Sequence, residues 1–171
     1  YLAKTIPAGS HVLDIGCGDH QLYAGYAPVR TWEYAGVDAS TTALTLARKN
    51  SPWARLEHCA LTYDTVDWLI DEFHRHPDYI LLKDVIQHWT CDEIDQFLGG
   101  LCSSAKSATI IIANNWRYFR TPGRPVMPRV LDRYSWAPVP ADHPTLVRLG
   151  FRSVDYYPAG KFKLIMQRDP V

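Results

Sequence analysis

Asp14 lies in an apolar run, His11 to Ile15, which leads directly into Gly16-Cys17-Gly18. Two glycines at alternate positions let the backbone turn tightly and let a ligand approach the main chain, because neither carries a Cβ. Asp38 closes a second apolar run, twenty residues after Gly18. In a doubly wound sheet an acid at that place accepts hydrogen bonds from a ribose. Two carboxylates around a glycine turn suit a nucleoside whose tail carries positive charge. Further on, Lys83, Asp84 and His88 follow the run Tyr79 to Leu82. His88 is a candidate general base or a histidine packing a first turn, and Asp84 is equally suited to capping a helix. Asn114 and Asn115 leave the run Ala108 to Ala113, where they can bond an acceptor substrate or serve as turn residues. Beyond them Trp116, Arg117, Tyr118, Phe119 and Arg120 begin an arginine–aromatic stretch that also holds Arg124, Arg129, Arg133, Tyr134 and Trp136. Guanidinium forks recognise carboxylate or phosphate and rings cover flat groups; a solvated surface loop is the competing reading.

These residues need elements to carry them. Five short runs, His11–Ile15, Tyr34–Asp38, Arg55–Ala60, Tyr79–Leu82 and Ala108–Ala113, are apolar on both faces and bounded by turn residues, as buried parallel strands are. Between them, Ser40 is a candidate N-cap for a helix over Thr42 to Lys49. Thr90 and Glu93 have capping-box spacing ahead of Ile94, Phe97, Leu98 and Leu101. Val66 to Phe73 is a shorter helix candidate. The alternation breaks at the end, where Phe151–Tyr157 and Phe162–Gln167 flank Pro158-Ala159-Gly160 as a hairpin would. The expected fold is α/β: a doubly wound, mostly parallel sheet of seven strands with a C-terminal antiparallel hairpin. Trp32, Trp53, Trp68 and Trp89 are expected to pack.

Composition narrows the function. At 171 residues one domain over 1–171 is expected; the chain opens on Tyr1, which is consistent with a trimmed N-terminus. Eighteen Lys+Arg against eighteen Asp+Glu leave no net charge to draw the chain to nucleic acid or membrane. No apolar run reaches the ~18 residues of a membrane helix, and no basic-then-apolar leader is visible. Cys17, Cys59, Cys91 and Cys102 are far apart, with no zinc-ligand spacing among them. Free thiols, no metal and a cytoplasmic location are expected. A P-loop is excluded for want of G-K-[ST], and a G-x-G-x-x-G fingerprint starting at Gly16 would need glycine where Gln21 stands.

Val12-Leu13-Asp14-Ile15-Gly16-Cys17-Gly18-Asp19-His20 resembles the first motif of the class I S-adenosylmethionine-dependent methyltransferases, with His20 at the third glycine position. Val37-Asp38-Ala39-Ser40 with Ala43-Leu44 and Ala47-Arg48 is similar to that family's second strand and helix, and Lys83 to Trp89 to the segment after its fourth strand. The likeness runs from about Val12 to Arg168. It implies a cofactor site formed by Asp14, Gly16, Cys17, Gly18, His20, Asp38, Ala39, Cys59, Ala60, Lys83 and Asp84. The residue meeting the adenine amine falls near Cys59; as a thiol is a poor acceptor, a backbone group or Asp64 serves instead. The implied cofactor is S-adenosylmethionine, leaving as S-adenosylhomocysteine.

Methyl transfer is an in-line displacement that needs alignment and exclusion of water more than a covalent nucleophile. The N/D-P-P-Y/F run of enzymes that methylate exocyclic base amines is absent, as is the Pro-Cys of cytosine-C5 enzymes. A small-molecule acceptor is therefore expected, held by Asn114, Trp116, Arg117 and Tyr118 beside His88. Two readings compete: a cofactor-binding module of a larger assembly with little activity of its own, and an RNA methyltransferase using the stretch Arg117 to Arg133.

Overall fold

A computed structural model describes residues 1–21, 23, 25–115, 142–157 and 163–171, with the side chains at 114–115, 156–157 and 163–164 outside the description. Trp116, Arg117 and Tyr118, with the rest of the arginine–aromatic stretch, lie outside the described residues, as does the Asn114 side chain.

Seven strands form one sheet: β1 (His11–Ile15), β2 (Glu33–Asp38), β3 (Arg55–His58), β4 (Tyr79–Lys83), β5 (Thr109–Asn115), β6 (Arg152–Tyr157) and β7 (Lys163–Arg168). Their order is β3-β2-β1-β4-β5-β7-β6. The first five are mutually parallel; β7 runs antiparallel to both β5 and β6. The expected alternation and the terminal antiparallel pair are both present. β7 inserts beside β5, pairing Asn114 with Leu164, and leaves β6 at the edge. The order reverses between β1 and β4, and the crevice outside the strands' carboxyl ends at such a reversal is where open α/β sheets bind ligands.

Alternation along the strands builds two cores. Leu13, Ile15, Ile80, Leu82, Ile110 and Ile112 face α3 (Cys91–Ser104) and the wide π-type turn Trp68–Phe73. Val12, Tyr34, Leu56, Leu81, Ile111 and Ile165 face the other way, under α2 (Thr41–Asn50) and the N-terminal turn α1 (Leu2–Thr5). Both long helices begin as their sequences dictate. The Ser40 hydroxyl accepts the Ala43 N–H; Thr90 and Glu93 bond each other's backbone N–H groups in a capping box.

One expectation changes in detail, and two further elements join those expected. Val66 to Phe73 is helical as expected, but closes over Trp68–Phe73 as a π-helix. A short helix, α4 (Pro144–Arg148), precedes β6 and is tied to α3 by Thr145 and Arg148, which both donate to Asp95 Oδ1. The described part of the β1–β2 crossover carries a 3-10 turn, Ala27–Thr31. Among the described residues no helix is long and apolar enough to cross a membrane, and all four cysteines are free thiols.

Candidate active site

The glycine turn is built against the end of β2. The Val37 carbonyl accepts the N–H groups of both Gly16 (2.8 Å) and Cys17 (3.0 Å). Gly16 has φ +76°, and a Cβ there would stand 2.4 Å from Val85 Cγ2. Only glycine fits without displacing the segment after β4. Gly18 has φ +64°, and nothing lies within 4 Å of where its Cβ would be; that side is open. Its N–H donates to Asp38 Oδ2 at 2.8 Å, while the Ser40 N–H donates to Asp38 Oδ1 at 2.8 Å. Asp38 thus joins the turn to the start of α2 and keeps acceptor lone pairs on both oxygens. Asn50, at the other end of α2, donates to the Asp19 carbonyl.

His20 follows the turn with φ +58°, a left-handed conformation that glycine adopts freely and a ringed residue at a cost. Its ring is 2% exposed and sits edge-on to Tyr23 and Tyr34, with centroids 5.2 Å away in each case. Its Nε2 lies 2.7 Å from the Tyr34 hydroxyl. The same hydroxyl donates to Asp14 Oδ2, also at 2.7 Å. Tyr34 is two residues from Gly36, the residue opposite Asp14, so the two side chains form a diagonal pair on one face of neighbouring strands.

Burial sets the electrostatics here. Asp14, 1% exposed, has its carboxyl pushed up from 3.8 to about 6 by desolvation, against the pull of the Tyr34 hydroxyl and, more weakly, of Lys83 and Tyr23. Its Oδ1 and the Tyr23 hydroxyl have no partner at hydrogen-bond distance. Desolvation pushes His20 down from 6.5 to about 4, so it is neutral at pH 7. It raises the Tyr23 and Tyr34 phenols and the Cys17 thiol well above their usual values.

Above this floor opens a cleft of about 390 Å³, within the size range of small-molecule sites. Gly16, Cys17, Gly18, His20, Asp38, Ala39, Lys83, Asp84 and His88 all line it, so most of the residues picked from sequence converge. Asp14 lies beneath the lining. Cys59 and Ala60 do not line it; Leu61 does, and the Cys59 thiol donates to the Ala60 carbonyl. Asp84, at φ +59°, gives its N–H to the Ala113 carbonyl and accepts the Lys83 ammonium at 3.2 Å. It does not cap a helix: the 3-10 turn Ile86–His88 has Val85 at its N-cap, with no side-chain cap bond. His88 is exposed, with Nε2 3.5 Å from the Gln87 amide nitrogen.

Sequence reasoning missed Asp19, Gln21, Tyr23, Leu61, Val85 and Trp89, which also line the cleft, and Tyr34 beneath it. Trp89, expected to pack only, both lines the cleft and tilts against Phe97 at 4.8 Å between centroids. Tyr34 reads in sequence as one more apolar strand residue. The available signal was its hydroxyl, which needs a partner once buried.

Comparison with known proteins agrees with this architecture. The family model described as "Methyltransferase domain" matches residues 13–108, more than half of the 171-residue chain. No curated protein matches. Among solved structures, a S-adenosylmethionine-dependent methyltransferase of Methanosarcina mazei superposes with a TM-score of 0.69 at 12% identity, covering 99% of this chain and 97% of the other. A TehB-like methyltransferase of Corynebacterium glutamicum gives 0.63 at 17% identity, covering 98% and 84%. Magnesium protoporphyrin IX methyltransferase of Synechocystis, solved with bound S-adenosylhomocysteine, gives 0.63 at 16% identity, covering 98% and 78%. At such identities the likeness is one of fold, and the family match carries the assignment: the chain belongs to the methyltransferase-domain family and is a class I S-adenosylmethionine-dependent methyltransferase.

Proposed function

We propose that this methyltransferase acts on a small, largely apolar acceptor that enters beside Tyr23 and Lys83. The observation that carries the reading is a second cavity of about 250 Å³, lined by Tyr26, Leu81, Ile111, Ala113 and Ile165 together with Tyr23 and Lys83. The last two residues also line the cleft of the glycine turn, so the two spaces are neighbours across them. The cavity has room for a ring system or a short aliphatic arm, and its walls offer burial rather than charge.

The cleft residues fit the cofactor. Gly18 leaves open the space a Cβ would fill, Asp38 keeps free lone pairs for ribose hydroxyls, and the buried Asp14 carboxylate complements a positively charged tail. Ala39 and, in place of Cys59 and Ala60, Leu61 offer the apolar lining for a flat base. Bound S-adenosylmethionine supplies a methyl on a sulfonium and its own leaving group. The chain's residues align the partners and keep water out. Lys83 lines both spaces, and Asp84, which lines the cleft, holds its ammonium at the carboxyl end of β4. His88, exposed at the rim, takes a proton where the acceptor must lose one during attack. Asn114, near the end of β5, and Trp116, Arg117 and Tyr118, which follow it in sequence, remain candidates for the acceptor's polar groups. Residues 1–171 act in this reading as one domain.

Release of S-adenosylhomocysteine, followed over a panel of apolar and polar small molecules, tests the proposal. Turnover on apolar members supports it. Turnover confined to RNA, with affinity falling steeply as salt rises, overturns it.

A further inference from the structure

We propose that Tyr34 and His20 are positioning residues that hold Asp14 as a charged group beneath the cofactor turn and thereby make cofactor affinity proton-linked. This rests on the placement of the cofactor given above.

The argument begins with counting protons. A phenol has one proton to give. Tyr34 Oη stands 2.7 Å from Asp14 Oδ2 and 2.7 Å from His20 Nε2. While Asp14 is ionised it can only accept, so the Tyr34 proton points to it, and His20 must present Nε2–H to the Tyr34 oxygen. The chain is then His20 N–H to Tyr34 O–H to carboxylate, every member aligned toward one negative charge. When Asp14 is protonated the polarity reverses: the carboxyl gives to Tyr34, Tyr34 gives to His20 Nε2, and the imidazole proton sits on Nδ1. His20 Nδ1 has no hydrogen-bond partner, so either tautomer is open to it. The same three groups thus stay bonded in both states, with and without a charge beneath the turn.

The surroundings decide which state a ligand favours. Facing Asp14 are Tyr34 and Asp38 on β2, Lys83 on β4, Cys17 in the turn and Tyr23 after it; Asp19 faces His20. Lys83 is the single cation in this set, and its ammonium already meets Asp84. Cys17, Tyr23 and Tyr34 stay neutral at ordinary pH because burial raises all three. A sulfonium and an α-ammonium entering above the turn therefore meet the Asp14 charge across a region of little competing solvent, where Coulomb attraction is strong. Binding and ionisation of Asp14 favour each other. The His20 ring, in a position where this family carries glycine, supplies the donor that keeps the Tyr34 proton aimed at the acid.

Calorimetric titration of the whole chain with S-adenosylhomocysteine from pH 5.5 to 8.5 tests this, with circular dichroism to confirm folding. For the wild type, affinity should fall as pH drops through about 6, where Asp14 gains its proton. Tyr34→Phe keeps the ring and removes the hydroxyl. Loss of a hydrogen bond to a charged group moves a carboxyl's midpoint up by about 1–2 pH units. The variant should bind about 5–50-fold more weakly than wild type at pH 6, and the two should converge by pH 8.5. His20→Gly, which relieves the left-handed φ, should move the midpoint in the same direction by less, and carries the test alone if Tyr34→Phe does not fold. Parallel profiles, displaced equally at every pH, would mean a merely structural role and overturn the proposal. Wild type that binds with no pH dependence overturns it as well. Wild type that binds no S-adenosylhomocysteine at any pH overturns the cofactor placement itself, a result distinguishable from the other two.

Discussion

Replacing Asp14 by Asn should make the ligand-free protein more stable, and more so at high pH than at low. Burial raises this carboxyl from 3.8 to about 6, so the folded state holds a proton that the unfolded chain gives up sooner. Stability therefore declines as pH rises from 3.8 to about 6 and levels off above. With those two values, linkage puts the cost of ionising the folded-state acid at about 2 kcal/mol at pH 5 and about 3 kcal/mol at pH 8. Asn cannot ionise. Its amide oxygen can still accept the Tyr34 hydroxyl. Urea unfolding at the two pH values measures the difference. The advantage of Asp14→Asn over wild type should grow by about 1 kcal/mol from pH 5 to pH 8, a difference free of any constant packing change. An advantage that shrinks with rising pH, or a variant less stable than wild type by more at pH 8, would refute the assignment of a desolvated carboxylate. The same substitution should weaken S-adenosylhomocysteine binding at pH 8, placing stability and function in opposition at one residue.

Three further outcomes follow from the cleft. Asp38→Ala should weaken S-adenosylhomocysteine binding by about 1–3 kcal/mol in calorimetry, because hydrogen bonds to a charged acceptor are lost; unchanged affinity would remove Asp38 from the ribose site. Gly16→Ala should destabilise the fold by about 1–3 kcal/mol in urea, since its Cβ would meet Val85 Cγ2 at 2.4 Å on a backbone with φ +76°; a neutral effect would mean that the segment after β4 yields easily. His88→Ala should lower turnover by about 10²–10⁴ while cofactor affinity holds; a lowered melting temperature with turnover intact in the folded fraction would make His88 structural.

Much of the scaffold is written in local pattern. Apolar runs of four to seven residues flanked by turn residues fall on all seven strands, and the two cap signals, Ser40 and Thr90, start both long helices. The glycine turn was legible for a steric reason: Gly16 admits no Cβ, and Asp38 stands at a distance fixed by one strand–crossover–strand unit. What local pattern does not carry is where a side chain ends up when its neighbours are remote in sequence. Trp68 to Phe73 has helical spacing yet closes as a wider turn. Cys59 and Ala60 follow β3 where the resemblance puts them, but it is Leu61 that lines the cleft.

The pairing beneath the turn shows why such features escape a linear reading. Asp14, His20 and Tyr34 belong to a strand, a turn and the next strand, and each has an ordinary explanation by itself: a motif acid, a substituted glycine, a buried aromatic. Their relation arises from register, which sets Tyr34 diagonally across from Asp14, and from the left-handed φ of His20, which directs the chain so that its ring stacks edge-on to the same phenol. Glycine at position 20 would leave the Tyr34 hydroxyl one bond fewer and the acid less firmly held. His20 takes on backbone strain where it completes a buried polar chain, and a polar chain this close to a ligand cleft gives the protein a charge it can gain or lose.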